Sequence, residues 1–113
     1  MARLVQLLSS FIEVSGAYAL ARLEFAMRHP RHPSPPVLCQ LSEPSEETAR
    51  DRWDAVERQL EVARRYVGAL DDRRGKRAAY DPAYARLHRT VRELDRYARA
   101  VRWVMTVEER GAD

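Results

Sequence analysis

Residues 82–105, PAYARLHRTVRELDRYARAVRWVM, decide how this chain folds. Tyr84, Leu87, Val91, Leu94, Ala98, Val101 and Met105 recur at alternating spacings of three and four, which puts all of them on one face of an α-helix. No proline or glycine interrupts them after Pro82. Asp81 can cap the helix while Pro82 takes its first position, where the missing N–H is no loss. The pattern predicts a helix over about 82–109.

The same spacing extends backward. Ala49, Trp53, Val56, Leu60, Ala63, Val67 and Leu70 form a second narrow seam of the coiled-coil type, predicting a helix over about 46–73. Ser45 is its candidate cap, Glu46 and Glu47 complement the positive end of its dipole, and Gly75 is the natural stop. Before it, Pro33, Pro35, Pro36 and Pro44 mark residues 29–44 as an extended strap. Val37, Leu38 and Leu41 are expected to pin that strap to the helices.

The first segment, about 3–28, is apolar around most of its circumference. Leu4, Leu7, Phe11, Val14, Tyr18, Ala21 and Phe25 make one stripe; Val5, Leu8, Ile12, Ala19 and Ala26 lie beside it, with Leu20, Leu23 and Met27 further round. Such a helix is expected at the centre of the fold, with Gly16 marking a close crossing or a bend, and His29-Pro30 ends it. The fold class that follows is all-α: one domain, 1–113, of three long amphipathic helices in a bundle. Helices two and three form an antiparallel hairpin, and a proline-rich strap joins helices one and two.

Composition narrows the function classes. Apolar residues at 45% and charged residues at 33% describe a folded chain rather than a disordered one. One cysteine, Cys39, excludes an intramolecular disulfide and favours a cytoplasmic setting. Gln6, Ser9, Ser10 and Glu13 interrupt the N-terminal apolar run, so neither a signal peptide nor a membrane span is expected.

Catalytic signals are thin. No G-x-S-x-G, phosphate-cradling glycine loop, H-E-x-x-H or Glu-x-x-His pattern occurs, and an enzyme is not expected. Glu13 is the one carboxylate that a buried, apolar helix could turn into a general acid, but no second catalytic group accompanies it. His29, His32 and Cys39 share the strap without the paired spacing of a zinc site, so neither metal nor cofactor is expected. His88, beside the third seam, reads as a flanking residue.

Two interaction readings remain. Surplus apolar surface on helix one points to a protein partner or a second copy of the chain, with Phe11, Tyr18, Phe25 and Trp103 as interface residues. The alternative is a small nucleic-acid-binding subunit. Arg89, Arg92, Arg96 and Arg99 form a row facing away from the third seam, Trp103 continues it, and Arg73, Arg74, Lys76 and Arg77 make a basic loop. Glu93 and Asp95 lie within reach of that row and could neutralise much of it. The net charge of +3 is compatible with either reading.

Overall fold

The computed structural model describes residues 2–38, 41–74 and 81–111. It contains three helices, α1 (Ala2–Arg28), α2 (Glu46–Arg74) and α3 (Pro82–Gly111), and no strand among the described residues. The helix starts follow the capping chemistry. The Ser45 hydroxyl accepts from the Thr48 N–H at 3.4 Å, and one Asp81 oxygen accepts from the Ala83 N–H at 3.0 Å and the Tyr84 N–H at 3.5 Å. At the end of α1, the His29 N–H still donates to the Phe25 carbonyl at 2.9 Å before Pro30 stops the helix.

Side-chain pairs fix the directions. Glu24 of α1 meets Arg86 of α3, and His29 meets Asp81, so α1 and α3 are antiparallel. Arg102 of α3 reaches Asp54 at 2.7 Å and Glu57 through Nε at 3.1 Å, while Asp71 lies 3.6 Å from His88, so α2 and α3 are antiparallel as well. It follows that α1 and α2 run parallel. Phe11 against Trp53, with ring centroids 5.1 Å apart, and Phe25 against Tyr66, at 6.3 Å, match that direction.

A parallel pair needs a connection that returns along its whole length. One helix here is about 40 Å long, and residues 29–45, nearly extended at about 3.3 Å each, can cover that distance. The strap does so under side-chain control. Tyr66 donates its hydroxyl to the Pro33 carbonyl, Arg22 Nε donates to the Pro35 carbonyl at 2.7 Å, and the Tyr18 hydroxyl donates to the Pro36 carbonyl at 2.6 Å. Leu38 and Leu41 are buried beneath it, whereas Val37, expected as a third pin, is 68% exposed. The molecule measures 50 × 23 × 19 Å.

The core is one continuous cluster. Every seam residue assigned to α2 and α3 is buried in it. In α1 the inward line is Leu4, Leu8, Phe11, Ser15, Tyr18, Ala21 and Phe25, while Leu7 and Val14 are only half-buried. Ser15 tolerates burial because its hydroxyl donates to the Phe11 carbonyl at 2.9 Å. Two expectations change. The helix along which both others pack is α3, not α1. Gly16 marks no close crossing, for it is exposed and a Cβ there would meet nothing within 4 Å.

Candidate interaction surfaces

Burying one face of α1 leaves the opposite face outside. Gln6, Ser9, Glu13, Gly16, Leu20, Leu23 and Met27 follow the three-four spacing and all are exposed. The C-terminal half of that line is apolar, with Leu20 72%, Leu23 54% and Met27 74% exposed. Val37 extends it sideways, because it shares a shallow groove with Ala19 and Leu38. The α1 segment Arg3–Arg28 is also long and apolar enough, by length and composition, to cross a membrane, although its inward face is committed to the core.

Three of the four residues expected at an interface face the other way. Phe11 and Tyr18 are 2% exposed and Phe25 is fully buried, so they have no surface to offer while the bundle is intact. Large aromatic side chains bury the most area, and the chain uses these three to close its own core. The surface residues that sequence reading passed over as interface candidates are Leu20, Leu23 and Met27. Their signal was present as the third apolar line of α1, the one farthest from the main stripe.

Trp103, the fourth, is 62% exposed. It does not join the apolar patch of α1. Glu24, between Leu23 and Met27, pairs with Arg86, and Trp103 lies about 26 Å further along α3 at 1.5 Å per residue.

Trp103 belongs instead to the outer line of α3 with Arg89, Arg92, Arg96 and Arg99, all exposed. Only Arg99 of these four forms an ion pair among the described residues, to Asp95 at 3.0 Å. Asp95 turns toward α2, where it also lies 3.6 Å from Arg64. The neutralisation expected from Glu93 and Asp95 therefore reaches one arginine of the row. Lys76 and Arg77 lie outside the described residues, as do the side chains of Arg73 and Arg74.

Several other acids hold helices together. Asp54 and Glu57 engage Arg102, and Glu108 lies 2.8 Å from Arg50. Glu24 accepts two hydrogen bonds from the Arg86 guanidinium, which hold its carboxyl below the ordinary value.

Glu13 is exposed on the outer face of α1. His29 Nε2 lies 2.5 Å from Asp81, and its ring lies tilted against Phe25 with centroids 4.7 Å apart. His32 is 5.8 Å from His29, ring to ring, and Cys39 lies outside the described residues. Among the described residues no three His, Cys, Asp or Glu side chains converge as a metal site. Comparison with known protein families, curated proteins and solved structures finds no match to this chain.

Proposed function

We propose that this protein is a non-enzymatic helical interaction module that self-associates or docks into a larger protein assembly through the outer face of α1. The observation that carries this reading is the uncharged line Gly16, Leu20, Leu23 and Met27, with three large apolar side chains more than half exposed one turn apart. A folded chain that buries every seam position of two helices has no packing use for that line, and contiguous apolar surface of this kind marks interfaces. Self-association is the simpler form. In an antiparallel pair of α1 helices centred on Leu20, Leu23 of one copy comes opposite the open space at Gly16 of the other. Glu13 then comes near the exposed Arg28, so the polar ends of the line are complementary.

The test is the solution mass by light scattering across a wide range of dilution. The proposal expects a species of two or more chains that dissociates on dilution. A single-chain mass at every concentration removes self-association and leaves docking onto a different protein, to be sought by cross-linking in the native host.

A further inference from the structure

The outer line of α3 has a different chemistry from the α1 patch. Arg89, Arg92, Arg96 and Arg99 are successive exposed positions on one helix face, with no acidic residue in the line. Arg89, Arg92 and Arg96 form no ion pair among the described residues, and the pair between Arg99 and Asp95 is exposed enough to be displaced by another anion. The nearby acids Asp54, Glu57 and Asp95 are drawn into the contact between α2 and α3 by Arg102 and Arg64. A row of guanidinium groups is thus left facing water. It continues into Trp103, which is 62% exposed while the other tryptophan, Trp53, is 1% exposed in the core. From Arg89 to Trp103 the row covers about 21 Å at 1.5 Å per residue.

From this arrangement we infer that the outer line of α3 binds single-stranded nucleic acid, the four arginines taking successive phosphates and Trp103 stacking on an unpaired base. Guanidinium forks match phosphate oxygens, and their spacing along the helix follows a backbone rather than a point anion. The indole makes the site selective for single strands, because a base within a duplex already has both faces stacked. The surface is separate from the α1 patch, so the two proposals stand or fall independently.

Fluorescence anisotropy with a labelled mixed-sequence strand of ~16 nucleotides, and with the corresponding duplex, tests the site. The full-length protein should bind the strand at about 50 mM salt, with log K falling against log salt at a slope of about −3 if four phosphates are neutralised. Arg92→Glu with Arg96→Glu should weaken binding about tenfold or more. Trp103→Ala should weaken it about fivefold or more without changing the salt slope. These side chains are exposed, so melting temperatures should not move, and the charge-matched Arg52→Glu with Arg58→Glu on α2 should keep most of the affinity. Absence of strand binding at low salt overturns the inference. So does an equal loss in the α2 control, or a duplex bound as tightly as the strand with Trp103→Ala silent.

Discussion

The Tyr18 hydroxyl donates a 2.6 Å hydrogen bond to the carbonyl of Pro36, tying the middle of α1 to the returning strap. The ring is 2% exposed, and burial pushes the hydroxyl pKa from 10.0 up to about 12, against the opposing pull of the Arg22 charge. The raised value means that the neutral form is favoured by folding. Its contribution is fully present below pH 10 and is lost as pH rises through about 12. Tyr18→Phe should lower stability near neutral pH by about 1 kcal/mol, through the unpaired carbonyl. It should also flatten the decline of melting temperature between pH 10 and 12 relative to wild type. Calorimetry at stepped pH measures both.

Tyr84 presents the opposite case. It is 5% exposed, and its hydroxyl has no hydrogen-bond partner among the described residues. Removing an unpaired buried hydroxyl at constant ring packing relieves its desolvation cost. Tyr84→Phe should therefore leave stability unchanged or raise it by up to about 1 kcal/mol in denaturant titration.

Gly16 is an exposed helix-interior residue with open space where a Cβ would sit. Gly16→Ala should stabilise the isolated chain by about 0.5–1 kcal/mol, since alanine loses less backbone entropy in a helix. Urea unfolding at a concentration where the protein is monomeric gives the value.

Asp81 caps α3 and lies 2.5 Å from His29 at the end of α1, so one side chain secures both a helix start and a helix contact. Asp81→Ala should cost more than the about 1 kcal/mol of an ordinary cap. A double-mutant cycle with His29→Ala separates the two parts, and a coupling energy near zero would show that the cap alone matters.

The seams of α2 and α3 were legible to the residue because their three-four period never slips over seven successive positions in each helix. The inward line of α1 was harder to read. Ser15 sits on it and stays buried only because Phe11 supplies an acceptor, while half-buried Leu7 and Val14 lie beside it. An apolar count rewards Leu7 over Leu8 equally well, and only the neighbours choose. The parallel arrangement of α1 and α2 was hidden for the same reason, since a seam specifies a face and not what lies against it. The length and proline content of the strap held the relevant clue, for an extended segment of that reach can return along a whole helix. Phe11, Tyr18 and Phe25, expected at an interface, are buried in the core, because large aromatics suit cores and interfaces alike. Trp103 was read correctly as lying off the seam, since its spacing follows the arginines.

The most direct test of the central claim is sedimentation velocity of Leu20→Glu with Leu23→Glu beside wild type, with circular dichroism melts of both. Charges on the outer face of α1 should reduce the assembly to single chains while helicity and the cooperative melt are kept, because both side chains are more than half exposed. A mass distribution identical to that of an associating wild type would contradict the account and place the contact elsewhere. Loss of the cooperative melt would contradict it too, by showing that this face belongs to the core.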